Sequence, residues 1–185
     1  MSRTTAYVAS SLALLLSISG CANDAWKSAE AEPVVVALVA RYAEGASSDE
    51  SIQHRVGVLL TQARDELGEP YEWGADGPTV WDCSSFVRHA YSEVGVRMPR
   101  TARAQRDWLA DGNGIAVTPG EELPGDLVFW DDYLGPDEFG HVAMVWDPSD
   151  QSTIEARPPL TGRYAYRSEG HSLFEIWRVA VLTES

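Results

Sequence analysis

The chain has 185 residues, 44% of them hydrophobic, and a formal net charge of -14. That length suits one domain with a real core and is short for a second. Such acidity argues against nucleic acid as a partner and against electrostatic adhesion to anionic lipid.

The N-terminus reads as an export signal. Arg3 supplies a small basic start, residues 6–19 are apolar or small, and Ile18-Ser19-Gly20-Cys21 has the shape of a bacterial lipobox. Residues 1–20 are therefore expected to be a lipoprotein signal peptide, too short for a bilayer span. The bland alternative is an ordinary secretory signal with a chance cysteine nearby. With Cys21 lipidated, the acyl chains would anchor the protein to a membrane, in the cell envelope and facing the wall or periplasm. Residues 21–53 are expected to form the lipid-anchored tether, with a short helix or strand at 34–42. The compact domain is expected at 54–185.

Within that domain the periods are legible. Val56, Leu59, Leu60, Ala63 and Leu67 follow the helical rule, and Gly68 and Pro70 stop that helix. Asp82 is a good N-cap for a second helix, whose apolar face is Phe86, Val87, Ala90, Tyr91 and Val94, ending at Gly95. A third helix is expected at 102–110. After Pro124-Gly125 the period shortens, and strands are expected at 126–130, 141–146, 152–156 and 174–182, with a further one at 164–167. Helices first and strands later means an α+β fold, with N-terminal helices packed on an antiparallel sheet.

Once Cys21 is acylated, Cys83 is the one remaining cysteine. An exported lone thiol is an oxidation liability, so its presence points to reactivity. It falls in the first turn of the second helix, where unpaired N–H groups and partial positive charge favour a thiolate and can receive an oxyanion. His141 opens a strand and could serve as its base; Glu155, in the next strand, could sit beside that imidazole and fix its tautomer. A surface glutamate is the plainer alternative. His89 is read as a helix-face residue, and His54 and His171 have no partner at useful spacing. No metal or other cofactor is expected, because no ligand pair has the spacing of a zinc site. Trp73, Trp81, Trp130 and Trp146 are groove candidates, the last two read rather as core. Arg100 and Arg103 could meet substrate carboxylates.

These residues carry a resemblance. Pro70-Tyr71-Glu72-Trp73-Gly74, Asp82-Cys83-Ser84-Ser85-Phe86-Val87, Met98-Pro99-Arg100-Thr101, Gly125-Asp126-Leu127 and Gly140-His141-Val142 follow one another as in NlpC/P60 cell-wall peptidases. The chain resembles that family over about 54–181. The resemblance implies a papain-like fold and a cysteine peptidase cutting peptidoglycan stem peptides, usually between D-γ-glutamate and a diamino acid. By position it implies Cys83 as nucleophile, His141 as base, Glu155 as third member and Tyr71 as an oxyanion contact. Asp82, Ser84, Trp73 and Arg100 are expected to contact substrate. Ser85 and Ala75 stand where the family often has glycine. A non-catalytic wall-binding lipoprotein, or a cysteine hydrolase or acyltransferase on another amide or ester, are the rival expectations.

Overall fold

The computed structural model describes residues 33–45, 49–131, 138–165, 171 and 173–183. The expected signal peptide and Cys21 lie outside the described residues.

Among the described residues four α-helices come first: α1 (Pro33–Gly45), α2 (Glu50–Asp65), α3 (Cys83–Ser92) and α4 (Ala102–Trp108). Helix α2 begins at Asp49, whose carboxylate accepts the backbone N–H of Ser51 at 2.7 Å and of Ile52 at 3.4 Å. It starts six residues before the first apolar residue of the expected helix, and its first turn already buries Ile52. The compact body also begins earlier than the expected boundary at residue 54. Val35, Leu38, Val39 and Tyr42 of α1 are buried in the main core, and the Tyr42 hydroxyl donates to the Leu182 carbonyl at 2.8 Å. Their spacing makes one apolar stripe, which must find cover. The described part of the expected tether is thus packed structure.

Six strands follow among the described residues: β1 (Gly114–Ala116), β2 (Leu127–Trp130), β3 (His141–Asp147), β4 (Ser152–Arg157), β5 (Leu160–Ala165) and β6 (Phe174–Val179). They form one sheet in the order β1-β6-β2-β3-β4-β5, every neighbouring pair antiparallel. Strands β2 to β5 run as a meander, and β6 returns to lie between β2 and β1. Two strand boundaries differ from expectation by three residues or more. The fifth strand starts at Leu160 rather than 164, and β6 stops at Val179, where residues Ala180–Leu182 turn as a 3-10 helix. Strand β1 was not expected. It is a three-residue edge strand beginning with glycine, and such a piece has no legible alternation.

Helix α3 lies against the sheet's centre. Phe86, Val87, Ala90 and Tyr91 share the main core with Val142, Met144 and Ile154, and the Tyr91 hydroxyl donates to the Gly125 carbonyl at 2.5 Å. Burying a side chain such as Phe86 contributes roughly 1.5–3 kcal/mol. This packing fixes the start of α3 beside the first residue of β3.

Candidate active site

Cys83 is the first residue of α3, and its turn is held from several directions. The Asp82 carboxylate accepts the Ser85 backbone N–H at 2.8 Å, and Ser85 Oγ accepts the Asp82 N–H at 3.0 Å, a reciprocal capping box. Arg100 donates to both oxygens of that carboxylate, at 2.7 and 3.0 Å. The same guanidinium donates to the Ala75 carbonyl at 2.7 Å and to Ser84 Oγ at 3.0 Å. Burial raises the pKa of Asp82's carboxyl, but the Arg100 and Ser85 bonds outweigh it and hold the group below the usual carboxylate range. Gln105, fully buried, donates to the carbonyls of Ser84 (2.9 Å) and Pro99 (3.0 Å), tying α4 to the cysteine turn.

The imidazole arrives from the sheet. His141 and Glu155 are each 1% exposed, and His141 Nε2 lies 2.5 Å from Glu155 Oε2. Cys83 is hydrogen-bonded to the same ring. Burial alone would lower the basicity of His141, but the bonds to Cys83 and Glu155, with their charges, lift its pKa to about 10. Thr153 donates its hydroxyl to the other oxygen of Glu155, Oε1, at 2.7 Å. The Trp130 ring covers His141 with centroids 4.6 Å apart.

A groove of about 460 Å3 opens over the sulfur, with Trp73, Cys83, Ser84, Arg103 and Phe139 in its wall. Trp73 is 58% exposed there. A thiol, an imidazole and a carboxylate in series, beside a cleft and beneath a helix start, can perform acyl transfer.

The profile of the NlpC/P60 family matches residues 68–159. The chain belongs to the NlpC/P60 family. A probable endopeptidase p60 of Listeria innocua is 37% identical over 73 residues, covering 40% of this chain and 15% of that protein. A bifunctional muramidase/DL-endopeptidase of Bacillus subtilis is 33% identical over 112 residues, covering 57% of this chain and 32% of that protein. The chain thus spans a minor part of the curated relatives it matches. Among solved structures, the peptidoglycan hydrolase RipB of Mycobacterium tuberculosis aligns over 87% of this chain and 89% of its own, with TM-score 0.57 and 24% identity. RipD of the same organism, described as a non-catalytic NlpC/P60 domain protein, aligns over 68% of this chain and 97% of its own, with TM-score 0.55 and 20% identity.

In this NlpC/P60 domain the other candidates fall in different places. The Tyr71 backbone bridges that of Trp81, two residues before Cys83, and its hydroxyl is buried. Asp82, Ser84 and Arg100 bond chiefly to one another and to the backbone around the cysteine turn. Trp81 and Trp146 are core. His89 stacks on Trp81 at 4.7 Å and meets Gln62 and Glu66, away from the cysteine groove. His54 lies in α2, and His171 pairs with Asp131 at 3.2 Å. Among the described residues no three His, Cys, Asp or Glu side chains gather as a metal-ligand set. The sequence reading missed Thr153 and Gln105. Thr153 had a signal: two residues before Glu155 on a strand, it shares that residue's face.

Proposed function

We propose that the chain is a cysteine endopeptidase of the cell envelope, lipid-anchored through Cys21, that hydrolyses amide bonds in peptidoglycan stem peptides. The bond is the one between D-γ-glutamate and a diamino acid. The observation that carries the reading is the buried His141–Glu155 pair acting with Cys83, which itself lines an open groove. The endopeptidase names of the Listeria and Bacillus relatives support it.

The Cys83 thiolate attacks the scissile carbonyl carbon, and the carbonyl electrons move onto oxygen. Backbone N–H groups at the start of α3, with the Tyr71 hydroxyl, receive that oxyanion. The C–N bond breaks as the His141 imidazolium gives its proton to the leaving amine, which leaves a thioester on Cys83. Water then adds to the thioester carbonyl, giving a proton to His141. The acid departs and the thiolate–imidazolium pair is restored. Glu155 keeps the ring oriented and stabilises its positive form.

The test is digestion of purified peptidoglycan by the full chain, with fragments identified by mass. Wild type should release peptides cut after D-γ-glutamate, and Cys83→Ala, folded by circular dichroism, should release none. Equal fragment patterns from the two proteins would remove the peptidase reading and leave a wall-binding module, the role given to RipD. Cysteine-dependent attack on a different amide or ester would keep the mechanism and change the substrate.

A further inference from the structure

Two arginines reach the cysteine groove, and the structure employs them differently. Arg100 is occupied on every side by Asp82, Ser84, the Ala75 carbonyl and Asp76. Arg103, nearly one turn further along, is 60% exposed in its side chain and among the described residues pairs with Glu138 at 3.5 Å. Glu138 is itself 48% exposed. It opens the short segment Glu138-Phe139-Gly140 that leads into His141, and the Phe139 ring is steadied by the Arg106 guanidinium at 5.1 Å. Arg103 and Cys83 thus share a groove wall, and the acid that meets Arg103 stands in the segment leading into the strand that carries the base.

A γ-linked glutamyl residue keeps its α-carboxylate free, a few bonds from the scissile carbonyl. A chain of net charge -14 repels such a group unless a local cation receives it. We propose that Arg103 is a specificity-determining residue that binds this free carboxylate, with Glu138 holding its place in the empty groove. The inference rests on the peptidase reading for its substrate. The exchange is favourable because an exposed pair at this distance is weak, whereas a substrate carboxylate inside the groove is less hydrated and can bond the planar fork bidentately. Arg100 cannot do this without releasing the cap of α3.

The experiment uses two synthetic stem peptides, one with the glutamyl α-carboxylate free and one with it as the carboxamide. With the full chain, KM for the carboxylate peptide should be about tenfold lower than for the carboxamide, the worth of one charge-assisted contact. Arg103→Gln should erase that preference by raising KM for the carboxylate peptide alone, with kcat unchanged; Arg103→Lys should keep part of it. Glu138→Gln should lower KM for the carboxylate peptide, since the competitor is gone. Binding of both peptides to Cys83→Ala by calorimetry, with and without Arg103→Gln, gives the same comparison without turnover. Equal affinity for the two peptides, or an equal loss on both in Arg103→Gln, would overturn the assignment of Arg103. Discrimination in binding without any cleavage by wild type would instead remove the peptidase reading and leave the carboxylate site standing.

Discussion

Thr153 donates its hydroxyl to Oε1 of Glu155 at 2.7 Å, so the carboxylate that faces His141 through Oε2 has both oxygens engaged. Thr153 is fully buried, and its oxygen also lies 3.2 Å from the Tyr164 carbonyl, which competes for the same proton. A buried carboxylate oxygen deprived of its donor can turn, and the imidazole would turn with it. Thr153→Val should therefore lower kcat by about 3–10-fold, in keeping with one lost bond to a charged group. Thr153→Ser should restore most of the rate. KM should hardly move, because Thr153 is not part of the groove wall. An unaltered kcat in Thr153→Val would show that β4 alone positions Glu155.

The lifted basicity of His141 has a defined sign. Its folded pKa of about 10 lies above the ordinary 6.5, so its interactions favour the folded, protonated form fully below pH 6.5. That contribution is lost as pH rises through about 10. In the proposed reaction the same proton goes to the leaving amine, so kcat/KM should hold across neutral pH and fall on an alkaline limb near pH 10. Glu155→Gln keeps the shape of the side chain and removes its charge. The limb should move down by about 1–3 pH units. A pH profile from 6 to 11 for both proteins checks this; superimposed limbs would separate Glu155 from the ionisation of His141.

Much of this was readable before any coordinates. Cys83 could be placed at a helix start because Asp82 and the apolar residues Phe86, Val87, Ala90 and Tyr91 mark one helix end and one helix face. His141 and Glu155 sit in strands whose alternation and short connecting turn make them neighbours in space. What the sequence could not give is how side chains divide their bonds. Arg100 reads as an exposed cation near the nucleophile, and only the folded geometry shows it engaged by Asp82. Gln105 looks like any helix polar residue, yet it lies fully buried between the Ser84 and Pro99 carbonyls. Helix α1 was read only as a short helix or strand within a tether, since the Ala/Glu-rich run before it draws attention from the stripe Val35, Leu38, Val39 and Tyr42 that packs it into the core.

The engagement of Asp82 sets up a third prediction. Asp82→Ala removes the cap of α3 and a partner of Arg100, and should cost about 1–2 kcal/mol in urea denaturation. Asp82→Asn still caps, and should cost less. Because the folded carboxyl titrates below its ordinary 3.8, its contribution is present above that pH and fades as pH falls through the lowered folded value. The gap between wild type and Asp82→Asn should thus narrow in acid. Alkylation of Cys83 should slow more in Asp82→Ala than in Asp82→Asn, since the frayed helix start no longer fixes the sulfur beside His141. Identical alkylation rates would mean the sheet alone sets that contact.

A second charged pair, between the turn before β2 and the strand β6, bears on stability rather than chemistry. Asp126, 1% exposed, accepts Arg178 Nε and Nη2, both at 2.8 Å, and the Leu123 backbone N–H at 2.8 Å. Burial pushes its carboxyl up to about 6 despite the pull of Arg178. A raised carboxyl favours folding below 3.8, and that benefit is lost as pH rises through about 6, where the ionised group depends on the guanidinium. Arg178→Ala leaves a buried carboxylate uncompensated and should cost about 3–5 kcal/mol at pH 7. The cost should shrink toward pH 4, where the carboxyl is neutral in the folded state. A double change, Asp126→Leu with Arg178→Met, removes both charges and should be milder than Arg178→Ala alone. Thermal and urea denaturation of the three proteins at pH 4 and 7 measures all of this. A pH-independent cost for Arg178→Ala would mean that lost packing, rather than the stranded charge, is what destabilises the sheet.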